Sequence, residues 1–194
     1  MSLAIAALVA LFAGMPASGA TDRIDVTRAM LEPTPDGSAW LLSAEFDIDL
    51  TERLEQAVER GVPVHFVLEF DLVRPRWYWT NRRITRTVVD FRLSYHALSR
   101  QYRLARLDDG NGYAQRFETL GEALSALARV SRWRVVEARL LEPDEAYRAS
   151  LRLRIDVSKL PKPMQADAIT NRDWSPRSEW SRFQFTPETL SSTR

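Results

Sequence analysis

Few side chains in this sequence carry the chemistry of a catalyst. His65 and His96 are its two histidines, and neither falls in the His-Glu-x-x-His spacing that lets one helix face grip a metal. His96 stands three residues before Ser99, so a Ser–His pair can be drawn, but the serine lacks a Gly-rich elbow and no neighbouring carboxylate would orient the imidazole. The expected role of His96 is to cap a strand end. The chain has no cysteine, which excludes disulfides, thiolate nucleophiles, Cys-ligated metal and a lipidated N-terminal Cys.

Carboxylates occur in pairs at Asp47/Asp49, Glu69/Asp71 and Asp108/Asp109, a pattern able to serve acid–base chemistry or Ca²⁺. Asp108-Asp109-Gly110-Asn111-Gly112 lacks the Glu that closes an EF-hand loop, and a hairpin turn explains it more simply. The strand carboxylates are expected on the solvent face, opposite arginines of neighbouring strands. No catalytic residue, metal or cofactor is therefore expected.

One constellation remains, and it is suited to contact. Arg74, Arg76, Arg82 and Arg83 bracket Trp77, Tyr78 and Trp79, and a corner farther on holds His96, Arg100 and Tyr102. Arginine with tryptophan and tyrosine is the composition of interface hot spots, and such rings also stack sugars or lipid head groups. Three readings stay open: rings that cap the core, a surface for an envelope protein, or a site for a small ligand or polysaccharide.

The elements that must carry these residues are mostly strands. From Trp40 to Leu50 the apolar residues fall at every second position, and Val64, Phe66, Leu68, Phe70 and Leu72 repeat that period. Asp49 with Glu52 starts a short helix ending at Gly61 and Pro63; Thr119 with Glu122 starts a second, and a helical turn is expected near Met164 to Ile169. A long strand follows the arginine-rich turn and reaches Tyr95; its apolar phase slips between Ile84 and Val89, which predicts a bulge near Thr87 or Val88. Further strands are expected at Ile24 to Met30, Gln101 to Leu107, Tyr113 to Phe117 and Trp180 to Phe185. Trp133 to Leu141 and Tyr147 to Val157 are read as a hairpin around Glu142-Pro143-Asp144-Glu145.

Nine strands and two capped helices predict a mainly β fold: an antiparallel β-sandwich, immunoglobulin-like or pseudo-duplicated, with two to three short helices in its connections. The duplicated form rests on a recurring order of Glu-Pro turn, aromatic residue, Asp-containing strand, short helix and strand.

With 194 residues, 45% of them hydrophobic, the chain suits one domain, expected over residues 21–187 with a frayed tail at 188–194. A net charge of +1 provides no overall field for nucleic acid, so no nucleic-acid partner is expected. All basic residues except Lys159 and Lys162 are arginines, a bias that fits interfaces and equally a GC-rich genome. Residues 1–20 carry no charge and hold an apolar run from Leu3 to Ala13 before Ala17-Ser18-Gly19-Ala20, the pattern of a cleavable signal peptide or of a leader kept as an anchor. The expected location is the periplasm, with membrane contact only through a retained leader.

The leader, Gly61-Val62-Pro63-Val64, Arg76-Trp77-Tyr78-Trp79, the corner from Tyr95 to Leu104, the segment from Phe117 to Leu127 and the closing Trp180-Ser181-Arg182-Phe183-Gln184-Phe185 together resemble a proteobacterial exported family of unknown function. Its members are sometimes labelled proline-rich signal-peptide proteins. The resemblance spans nearly the whole mature chain and implies a Gram-negative periplasm, with genes often beside those of a nitrogen-regulation-type sensor kinase. It supplies no activity and no catalytic residue. The expected function is a non-enzymatic accessory module that binds an envelope protein; the alternative is a module for glycan, peptidoglycan fragment or lipid.

Overall fold

The structure is a computed structural model that describes residues 24–75, 81–107, 113–174 and 176–187. Its chain forms two antiparallel sheets. The smaller joins β1 (Ile24–Pro33), β2 (Ala39–Ile48) and β7 (Arg129–Glu137) in the order β1-β2-β7. The larger contains β3 (Val64–Arg74), β4 (Arg82–His96), β5 (Gln101–Arg106), β6 (Ala114–Phe117), β8 (Tyr147–Ile155) and β9 (Ser181–Phe185), ordered β6-β5-β4-β3-β8-β9. The mainly β, two-sheet architecture expected from the alternating pattern is therefore present.

Period-two alternation places Val64, Phe66, Leu68, Phe70 and Leu72 of β3 on one face, and all five are fully buried. They share one core with Trp40, Leu42, Ala44 and Phe46 of β2, and with Tyr147, Ala149, Leu151, Leu153 and Ile155 of β8. Trp40 meets Phe185 edge to face across the two sheets, with ring centres 4.7 Å apart.

Helices close the open sides of this core. α1 (Glu52–Glu59) buries Leu54, Ala57 and Val58, and α2 (Leu120–Leu127) buries Ala123 and Leu127. α2 begins with the anticipated capping box: Glu122 N–H donates to Thr119 Oγ1 at 3.2 Å, while the Glu122 carboxylate accepts the Thr119 N–H at 3.4 Å. Thr119→Ala is expected to destabilise the fold by about 1 kcal/mol, read as a lower urea midpoint, with Thr119→Ser close to the parent. A change below experimental error in the alanine variant would count against the cap. α3 (Lys162–Thr170) is longer than the helical turn anticipated there and buries no residue.

Four local expectations need correction. The cap of α1 is Thr51, whose Oγ1 accepts the Leu54 N–H at 3.2 Å and donates to Asp173 O at 2.8 Å, so Asp49 stays outside the helix. The irregularity in β4 lies at Ile84, because Leu72 faces Thr85 while Val73 faces Arg83; the extra residue is the out-of-phase isoleucine itself. The predicted hairpin of Trp133–Leu141 with Tyr147–Val157 does not form. β7 pairs with β2, whereas β8 pairs with β3 and β9, and a 3₁₀ turn at Ala138–Leu140 followed by Pro143 carries the chain from one sheet to the other. Since β1 and β2 do form a hairpin, the two proposed halves differ in pairing.

Glu69 is the fourth. Although it sits on the outward face of β3, its side chain is only 5% exposed, because arginines from both neighbouring strands fold over it.

Candidate interaction surface

The outward face of the large sheet is built from the residues that alternate with the core. On β3 these include His65, Val67, Glu69 and Asp71; β4 adds Arg86, Val88, Asp90 and Arg92, β8 adds Arg148, Ser150, Arg152 and Arg154, and β9 adds Arg182 and Gln184. Glu69 faces Arg152 directly in the β3–β8 register and accepts its Nε at 2.9 Å and also its Nη2. Arg86 Nη2 and Arg154 Nη2 approach the other carboxylate oxygen at 3.3 and 3.4 Å. Burial pushes the Glu69 carboxyl up, but the Arg152 hydrogen bonds and the charges of Arg152 and Arg154 outweigh it and hold the group below the usual glutamate value. These three guanidiniums are committed to the sheet.

Toward the β3–β4 hairpin the balance differs. A groove of about 450 Å³ is lined by Asp71, Val73, Asn81, Arg148, Ser150, Trp180 and Arg182. Its one carboxylate, Asp71, is already matched by Arg83, whose Nε lies 3.0 Å away. Arg148 and Arg182 are exposed and have no ion-pair partner among the described residues. Trp180 forms one wall, with the Arg152 guanidinium 4.4 Å from its ring centre. The groove therefore presents two positive charges, unpaired among the described residues, beside an aromatic ring, an arrangement able to hold carboxylates.

The anticipated contact residues separate into distinct sets. Arg82 and Arg83 are exposed residues of β4 that directly follow Asn81, a groove-lining residue that was not among those anticipated. Arg74 is engaged elsewhere: it pairs with Glu142 at 2.7 Å and Glu145 at 2.8 Å, pinning the hairpin to the β7–β8 connection. Arg76, Trp77, Tyr78 and Trp79 lie outside the described residues. His96, Arg100 and Tyr102 sit at the opposite end of β4, about 45 Å from Arg82 at 3.3 Å per residue. One compact patch cannot contain both groups. Tyr102 is moreover buried against Tyr95, with ring centres 4.9 Å apart, and burial raises its phenol pKa.

Arg100 is exposed at a left-handed φ of 51°, completing the turn between β4 and β5. Within that turn His96 Nδ1 lies 3.1 Å from Ser99 Oγ and accepts the Ser99 N–H at 3.4 Å. Both contacts fall on one ring nitrogen, as in a local strand-end cap, and among the described residues no carboxylate is hydrogen-bonded to the ring. His65 is half-buried; burial first, then Lys159 and Arg92, push its pKa down, so it is neutral near pH 7. Among the described residues no three His, Asp or Glu side chains gather as a metal site.

Arg148, Arg152, Arg154, Arg182 and Trp180 were missed as site residues. Their signal was present as the polar phase of two amphipathic strands, but nothing in that phase distinguishes an arginine held by Glu69 from one left open. Another concavity of about 450 Å³ lies between the small sheet and α2, where Glu45, Asp47 and Arg129 mix both signs. It gives no comparable selection for one charge.

Fold and surface together define a two-sheet β domain with a basic, aromatic-walled groove on the large sheet. Residues 21–184 match the family described as a domain of unknown function (DUF4390), and the chain belongs to that family. No curated protein and no solved structure matches it.

Proposed function

We propose that this protein is a non-enzymatic periplasmic module that binds an acidic surface of another envelope protein through the groove on its large sheet. The observation that carries this reading is the pair Arg148 and Arg182, exposed beside Trp180 and without carboxylate partners among the described residues. The uncharged apolar leader supports export, and among the described residues no helix is long and apolar enough to cross a membrane. The sensor kinase implied by the family resemblance is the first partner to test.

A protein partner is favoured over a glycan because the Arg152 guanidinium already lies over the Trp180 ring, leaving less of it for sugar stacking. Charges at an interface rim act chiefly on association rate and salt dependence. The double variant Arg148→Glu/Arg182→Glu is expected to retain its fold by circular dichroism and to lose about tenfold or more in affinity for an envelope partner. The binding of the parent should weaken as salt rises from 50 to about 300 mM. Equal capture of one partner by parent and double variant would overturn the groove as the contact surface.

A further inference from the structure

Resting on that reading, we infer that the partner contributes an extended segment, with carboxylates at alternate positions, which pairs with β9 as a seventh strand of the large sheet. β9 is the outermost strand on its side, and among the described residues no other segment hydrogen-bonds to its outer edge. Its register with β8 is continuous from Tyr147↔Phe185 to Leu151↔Ser181. Ser181–Phe185 contains neither proline nor bulge, so its outward N–H and C=O groups form an uninterrupted template.

The other sheet edges are less suitable. β1 breaks register between Val26 and Arg28 and ends in Pro33, both of which blunt an edge. β7 shifts register twice against β2 and turns to a left-handed φ of 52° at Arg132, and its Val135 carbonyl accepts the Thr87 hydroxyl at 3.0 Å. β6 is four residues long.

Side-chain phase specifies the occupant. Arg182 and Gln184 face outward with Arg148, which stands opposite Gln184, while Phe183 and Phe185 face the core. A residue directly opposite Arg182 on an added strand would have its Cβ about 5 Å away, within reach of a carboxylate–guanidinium pair. Residues of the intervening phase would cover the half-buried Phe183 and should be apolar. The segment is therefore an alternation of acidic and apolar residues about five to seven long, matching the length of β9.

The probe is a fluorescein-labelled Glu-Val-Glu-Val-Glu-Val peptide titrated with the full chain and followed by anisotropy. The expected result is saturable binding, at least tenfold weaker for the Gln-Val repeat and for the Arg182→Glu protein, and at least tenfold weaker for the Glu-Val peptide N-methylated on the amides facing β9. Hydrogen exchange at Ser181–Phe185 should slow on binding. Equal binding of the N-methylated peptide, without slower exchange, overturns strand addition while leaving the charged groove intact. Absence of binding by any peptide overturns it too, and if partner capture is also insensitive to Arg148→Glu/Arg182→Glu, the underlying reading falls as well.

Discussion

Phe70→Ala is expected to destabilise the protein by about 3–5 kcal/mol, the largest loss predicted for any single change here. Phe70 is fully buried on the central strand of the large sheet, facing Thr87 on β4 and Leu151 on β8. Its removal forfeits the transfer energy of the ring and leaves a void that flanking strands, fixed by hydrogen bonds on both sides, cannot close. Against a total stability of about 5–15 kcal/mol, the variant sits near its unfolding midpoint or well below the parent. In a domain of this size the melting temperature should fall by roughly 10 °C. Phe70→Leu, which keeps most of the volume, should lose far less. Urea unfolding that shows less than about 1 kcal/mol for the alanine variant would mean that β3 is not the packing centre.

Glu69→Gln has the next largest expected effect and a signature of its own. The carboxylate is buried while Arg152, Arg154 and Arg86 remain 21%, 30% and 46% exposed. Breaking a wholly buried pair costs about 3–5 kcal/mol, but these guanidiniums keep part of their hydration and recover more when the carboxylate is lost, so about 2 kcal/mol is expected. The pH dependence follows from the direction of the Glu69 shift. Its folded-state pKa lies below the ordinary value of 4.5, so its contribution is complete above that value and is lost as pH falls through the lower, folded-state pKa. The stability difference between parent and Glu69→Gln should therefore be constant near neutrality and shrink in acid. A difference that stays constant down to pH 2 would show that the lost energy comes from packing and not from ionisation.

Much of the fold was legible because local and tertiary demands agree. The period-two runs at β2, β3 and β8 name both a strand and the face it buries, and Thr119 with Glu122 names a helix start through contacts only three residues apart. The β7–β8 connection was not legible. Glu142-Pro143-Asp144-Glu145 has hairpin composition, yet turn chemistry says only that the chain bends; which neighbour each strand then meets is decided by β2 and β3 far upstream. The same limit governs the surface. Arg148, Arg152, Arg154 and Arg182 look alike as polar-phase residues, and only the registers β3–β8 and β8–β9 place one against Glu69 and leave another facing the groove. Arg74 likewise belonged visibly to a basic turn, but its partners Glu142 and Glu145 lie far along the chain, in the β7–β8 connection.

The crossing of the chain between sheets at Pro143 also bears on how the protein acquires its structure. Because β2 needs β7 and β3 needs β8, both joins between the N-terminal and C-terminal strands wait until most of the chain is present. Such distant pairings must overcome loop-closure entropy before they return any packing energy, and folds built on them mature in milliseconds to seconds instead of microseconds. Neither half can bury its apolar faces alone. Truncation after β6 would leave β2 and β3 each without one hydrogen-bonded neighbour and take away the β8 and β7 surfaces that meet β1 and β4 across the core, so the domain matures late, as one cooperative event, and its unfinished chain exposes open strand edges to aggregation until β7 and β8 dock.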